Sequence, residues 1–256
     1  MSDNTLIKII NFLSKNTKKI IKINNLKLLF EQILQYSLTD QKFYKFLYHL
    51  KNKWILISLK KDIFYIKNPK KEITEYELEN IFYRKLLKDH CKTYCNNEWY
   101  IWWLNALEIN YNKFIEPPEQ IIIINKIKQA KEIVLFKKEV LFKKYEARWK
   151  NLFTPLFQFT NKFSISWYSI CYANLELSIL EALYNINKSN SQHIETLIIK
   201  TLKKYQKQYS FQNLENILQL GKFNSSVNYF FKLTTPLFSP FTEQLKTIIK
   251  KQGYLL

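Results

Sequence analysis

The chain has 256 residues, of which 47% are hydrophobic and 16% aromatic, which excludes a wholly disordered polymer and allows one large core or two modest ones. Its formal net charge is +19, and residues 1–71 hold 15 lysines against 4 acids, more than half of that excess in little over a quarter of the length. A basic end of this kind favours a polyanionic partner, whose condensed counterions are released on binding.

Composition tempers the charge signal. Arg84 and Arg148 are the only arginines, glycine occurs 2 times, and Ile, Asn, Lys, Phe and Tyr dominate, as the codon bias of an AT-rich genome would produce. Where the lysines cluster therefore says more than how many there are. Cys91, Cys95 and Cys171 make no disulfide framework, no secretory signal precedes the first helix, and no apolar run reaches membrane-span length. A soluble, cytoplasmic protein is expected.

Asp3 or Asn4 can cap a first helix running to about Lys15, with Leu6, Ile9, Ile10 and Leu13 inward, and residues 15–22 read as a basic connector. Residues 28–69 then read as helix, turn, helix and two short strands, the order of a winged helix-turn-helix. The first of these helices puts Leu28, Leu29, Ile33 and Leu34 on one face. Thr39 and Asp40 offer N-cap oxygens to the second, in which Phe43, Phe46, Leu47 and Leu50 form the buried stripe. Gln41, Lys42, Tyr44, Lys45, Tyr48 and His49 are left outside, a cationic, hydrogen-bonding and aromatic set suited to a DNA major groove.

Asn52 stands where the chain needs a left-handed residue to leave that helix. Residues 54–59 and 63–67 are β-prone and joined by Lys60, Lys61 and Asp62, a hairpin whose basic tip would grip phosphates. An ordinary amphipathic helix and hairpin with a solvated lysine face is the competing reading, because helical periodicity does not by itself imply DNA. Asn68-Pro69 closes a first domain of residues 1–71, since proline forces extended geometry on its predecessor.

Residues 72–256 predict an α+β domain. Residues 72–88 suit a helix with Tyr76, Ile81, Phe82 and Leu86 as its apolar points. His90, Cys91 and Cys95 lack the second ligand pair of a zinc site, so no metal is expected. The aromatic run from Trp99 to Trp103 reads as the head of a helix filling a helix–sheet interface rather than as a base-stacking platform. Residues 119–125 fit a buried strand, and residues 133–136, 141–145 and 153–159 fit further strands. From Asn174 the period turns helical, with a stripe of Leu175, Ile179, Leu180 and Leu183, and helices over 194–205, 214–220 (Gly221 as C-cap), 227–233 and 242–251.

Catalysis finds no foothold. There is no phosphate-cradling glycine loop and no Ser-His or Cys-His signature, and Glu176 and Glu181 are five apart, with Glu181 read as a surface acid. The chain is expected to be neither an enzyme nor a cofactor binder.

The order of segments resembles the AbiEi antitoxins of type IV, abortive-infection toxin–antitoxin systems, and the resemblance covers most of the chain. It is carried by residues 43–67, by WYIWWLNALEINYN followed by EPPEQIIII over 99–124, by NLELSILEAL over 174–183, and by LENILQLGKFNSSVNYFFKL over 214–233. The chain departs from the family at Asn52 and Asp62, where glycine is common, and at residues 224–231, where the family has a basic helix. The resemblance implies a winged-helix repressor of its own operon that binds inverted repeats in double-stranded DNA. It also implies an antitoxin that counters a nucleotidyltransferase toxin without a stable complex. Under it Lys42, Tyr44, Lys45 and Tyr48 face the groove, and Lys60 and Lys61 the backbone. A winged-helix subunit of a larger assembly, or a mobile-element replication protein without antitoxin activity, is the alternative.

Overall fold

The computed structural model describes residues 3–16, 20–68, 72–112, 118–126, 130–135, 138–145, 151–165, 168–188 and 191–253. It is a mixed α+β chain that divides into two compact units, residues 1–85 with 165–168 and residues 86–164 with 169–256. The end of the first domain expected from the sequence, at 71, lies outside the described residues. Among the described residues no helix is long and apolar enough to cross a membrane.

The first unit runs α1 (Asp3–Lys15), β1 (Ile20–Lys22), α2 (Ile23–Leu34), α3 (Asp40–Asn52), β2 (Leu56–Lys60) and β3 (Ile63–Ile66), then enters α4 (Glu75–Cys95). In α1, Ile9 and Leu13 are fully buried and Leu6 and Ile10 pack beside them, following the helical period. Residues 20–22 are a strand rather than a plain connector. Ile20, Ile21 and Lys22 pair antiparallel with Tyr65, Phe64 and Ile63, and the sheet order is β1-β3-β2. Three residues carry too little pattern to announce a strand, so the partner decides.

That strand moves the start of α2 forward to Ile23, whose N–H donates to the Asp62 carbonyl at 2.9 Å. The inward face of α2 shifts with it. Leu26 and Phe30 are fully buried, Leu29, Ile33 and Leu34 flank them, and Leu28 is 57% exposed, contrary to the sequence expectation. Phe30 seats α3, its ring 5.7 Å from that of Phe43 and 6.4 Å from that of Phe46. The turn between the two helices is fixed at both ends. Gln35 takes the left-handed conformation (φ 61), and Glu31 Oε1 accepts from the Leu38 N–H at 2.9 Å.

The second unit centres on a six-stranded mixed sheet, ordered β6 (Lys131–Leu135), β7 (Lys138–Lys144), β5 (Gln120–Asn125), β4 (Trp99–Ile101), β9 (Tyr168–Ala173) and β8 (Thr160–Ile165). β5 is parallel to β7 and antiparallel to β4, and Ile121 to Asn125 are all buried, as expected of an interior strand. Three sequence expectations change here. Residues 99–101 form a strand, and the helix α5 begins only at Trp103 and runs to Asn112. Residues 153–157 form a short helix, α6, not a strand. Helix α4 extends to Cys95, and its buried positions in this unit are Leu87, Cys91 and Cys95. Of the apolar points expected for α4, Phe82 is buried with Leu78 and Tyr83, Ile81 and Leu86 are half-buried, and Tyr76 is 49% exposed.

Helices α7 (Leu175–Tyr184), α8 (Ser191–Tyr205), α9 (Phe211–Leu218), α10 (Asn224–Thr234) and α11 (Ser239–Lys251) complete the unit. In α7 every residue from Leu175 to Leu183 is buried, because the helix lies between α5 and α10. Asn105 ties α5 to the sheet. Its Oδ1 accepts from the Ile122 N–H at 2.8 Å and its Nδ2 donates to the Gln120 carbonyl at 3.0 Å, satisfying two main-chain groups of β5.

Candidate nucleic-acid interface

Helix α3 begins where Thr39, extended at φ −65 and ψ 150, turns its Oγ1 to accept from the Lys42 N–H. Asp40 in the first turn complements the positive end of the helix dipole and pairs with Lys27 of α2 at 2.6 Å. That contact holds the Lys27 ammonium above its ordinary pKa, the Asp40 hydrogen bond being the main cause. Both groups are solvated, so the bridge orients the two helices more than it stabilises them.

Phe43, Phe46, Leu47 and Leu50 are buried, as the sequence predicts, and at 100° per residue the direction opposite their centre is occupied by Gln41, Lys45, Tyr48 and Asn52. All four are exposed, and Lys42 and Tyr44 are exposed on the flanks. His49 is half-buried at the edge, its ring 5.9 Å from Tyr48. The outward set read from the sequence thus shares one surface, with His49 at its margin. Lys61 is exposed in the β2–β3 turn, and the Lys60 side chain lies outside the described residues.

Two participants were missed. Asn52 is the last residue of α3, not the left-handed exit, and its position follows Gln41 by eleven residues, three turns along the same line. The left-handed residue is Trp54, at φ 54, held there while its N–H donates to the Lys51 carbonyl at 2.9 Å. Its indole is 68% exposed beside the helix end. A bulky side chain in that conformation is costly, about 1–2 kcal/mol, and an apolar ring left in solvent at the same position recovers nothing by burial. In the hairpin, Asp62 at φ 63 supplies the left-handed turn residue, and the register shifts between Ser58 and Lys60. A bulge there adds twist to the strands that carry the turn.

The second unit encloses an acid, Glu181, that the sequence reading placed on the surface. Glu181 is 1% exposed: Oε1 accepts from the Tyr100 hydroxyl at 2.8 Å and Oε2 from the Trp103 N–H at 3.3 Å. The cause is that α7 packs between α5 and α10, which encloses the Glu181 carboxylate with it. Burial raises its pKa well above the usual carboxylate range, against the pull of the Tyr100 donor and the Lys222 charge. Lys222, 6% exposed, donates to the Tyr145 hydroxyl at 2.9 Å and stands over the Tyr145 and Tyr184 rings at 4.2 and 4.8 Å. Trp103, whose N–H donates to the Glu181 carboxylate, stands in the left-handed region at φ 56.

Glu176, 3% exposed, accepts from the Ser210 N–H at 2.7 Å and lines a cleft of about 270 Å³ between the start of α7, the β8–β9 strands and the α8–α9 connection. The aromatic run Trp99, Tyr100, Trp102 and Trp103 is buried core. Cys91 and Cys95 are buried, and burial pushes the Cys91 thiol up and away from reactivity. Among the described residues no group of three His, Cys, Asp or Glu side chains is placed to hold a metal ion. No family model and no curated protein matches the chain.

Proposed function

We propose that the first unit is a winged helix-turn-helix that binds double-stranded DNA, with α3 in the major groove and the β2–β3 turn against a neighbouring phosphate. The observation that carries this reading is the outward face of α3, where Gln41, Lys45, Tyr48 and Asn52 stand in line, exposed, on a helix whose opposite side is clamped by four buried apolar residues. Gln and Asn can pair with the N6/N7 edge of adenine, lysine with guanine or phosphate, and an aromatic ring with a thymine methyl. The element order and antiparallel three-stranded sheet support the same reading, since a wing needs a hairpin anchored to the helix it flanks.

The wider proposal is that the chain represses its own operon through inverted repeats and counters a nucleotidyltransferase toxin as an antitoxin. Its support is the resemblance of segment order to the AbiEi proteins, and it predicts a nucleotidyltransferase reading frame beside the gene. A second reading has one observation behind it. Tyr36, Tyr44, Tyr48 and Trp54 are each at least 47% exposed on the first unit, and such aromatics also anchor protein–protein contacts. Under that reading the winged unit docks a protein in a larger assembly.

A gel shift with the DNA immediately upstream of the gene separates the two. Lys45→Ala with Lys61→Ala is expected to weaken binding and flatten its salt dependence, each lost phosphate contact removing about 0.9 from the slope of log K against log salt. Equal affinity and equal slope for wild type and double variant would remove this face as the contact surface.

A further inference from the structure

The cleft at the start of α7 is chemically unlike the rest of this protein. The chain carries 40 Lys+Arg, yet among the described residues none lines the cleft, whose walls are mainly amides, phenols and one carboxylate, Asn110, Asn161, Tyr172, Glu176, Tyr205 and Asn213 among them, beside Ile109 and Leu175. Lys204, beside Tyr205, is turned to the Tyr111 carbonyl at 3.2 Å and lies over the Tyr111 and Tyr205 rings. A helix start would ordinarily invite an anion, because its first N–H groups are unsatisfied. Here the chain has already taken that position. Asn174 Oδ1 accepts from the Leu177 N–H at 2.9 Å, and the negative charge at the first turn is Glu176 itself.

The remaining hydrogen-bonding capacity is mostly accepting. Asn110 commits its Nδ2 to the Ala106 and Ala173 carbonyls and to Ser178 Oγ, at 2.9 to 3.1 Å, which leaves Oδ1 as its acceptor. Tyr205 gives its hydroxyl proton to the Tyr111 carbonyl at 3.2 Å. Glu176 takes the Ser210 N–H, its own N–H and the Asn213 side-chain amide, which leaves about one of a carboxylate's roughly four lone-pair sites to offer. A volume of about 270 Å³ lies just under the range typical of drug-sized ligands.

From this we infer that the cleft is a binding site for a small, planar N–H donor without a phosphate, a guanidinium group or the donor edge of a purine, held against Glu176 and Asn110 between tyrosine rings. The Glu176 carboxylate would accept one N–H in a charge-assisted bond and Asn110 Oδ1 the other, so that a planar partner with two donors spans both. Phosphate is disfavoured because no cation among the described residues lines the cleft to meet it.

The test uses the full chain in thermal-shift and calorimetric titrations with agmatine and guanosine, which separate the guanidinium and purine sources, and with guanosine monophosphate and inorganic phosphate as anionic probes. Saturable binding of agmatine or guanosine is expected, at least tenfold weaker in Glu176→Gln, a change that keeps an acceptor for the Ser210 N–H. Asn161→Lys, at an exposed position on β8, is expected to keep the melting temperature and to abolish agmatine binding by placing a cation in the cleft. No response to agmatine or guanosine at millimolar concentration overturns the inference. So does monophosphate or phosphate binding as tight as guanosine, or binding that neither variant alters.

Discussion

Lys222→Met probes the enclosed Glu181 cluster most directly. Lys222 is 6% exposed and Glu181 1% exposed, and the Lys222 charge acts on a carboxylate whose two oxygens are taken up by Tyr100 and Trp103. Where Glu181 is ionised, from its folded pKa of about 8 upward, removing Lys222 leaves the carboxylate uncompensated in a medium that solvates it badly, at a cost of about 3–5 kcal/mol. For a domain of this size a kilocalorie moves the melting temperature by about 2–4 °C, so a loss of roughly 10 °C is expected. The pH dependence has a definite sign. Burial raises the folded-state pKa of Glu181 above that of the unfolded carboxylate, about 4.3, so between those two values the folded state binds more protons than the unfolded state. The stability this group contributes is fully present below the unfolded value and is lost as pH rises through the folded one. Without Lys222 the folded pKa rises further, so the variant should lose more at pH 8 than at pH 5. Urea unfolding followed by tryptophan fluorescence at the two pH values measures both. Glu181→Gln combined with Lys222→Met should lose less than the sum of the single changes, because no unpaired charge remains. A cost under about 1 kcal/mol for Lys222→Met at both pH values, or strict additivity in the double variant, would refute the reasoning.

Other outcomes follow from the same contacts. Asn105→Ala should cost about 2–4 kcal/mol in chemical unfolding, because the buried Ile122 N–H and Gln120 carbonyl both lose their partner. Phe43→Ala should cost about 3–5 kcal/mol of the first unit's stability and abolish DNA binding, whereas Tyr48→Ala, at a 63% exposed position, should keep the melting temperature and weaken binding alone. Trp54→Gly should unfold no more easily than wild type, since glycine accepts φ 54 without strain, and should weaken DNA binding if the indole touches the duplex. Each comparison pairs a melting curve with a gel shift, and a Tyr48→Ala variant that binds like wild type would remove that ring from the interface.

Local periodicity alone determined the two-sidedness of α3 and the interior character of β5. Phe43, Phe46, Leu47 and Leu50 fall within one arc at 100° per residue, and an unbroken isoleucine run suits only a strand covered on both faces, so neither needs knowledge of the rest of the chain. The outward residues of α3 were legible for the same reason, being what the stripe leaves over. Tertiary structure decided the remainder. Residues 20–22 are extended because β3 is there to pair with them, and Trp99–Ile101 because β5 and β9 lie on either side. Residues 153–157 wind into a helix although their aromatics favour strands, as Phe153 and Leu156 are buried in the core of the second unit. Glu181 looks like any helix acid until Tyr100 and Trp103, more than seventy positions earlier in the chain, close over it. Burial of that kind is a property of contacts between distant segments, and a window sliding along one segment carries no term for it.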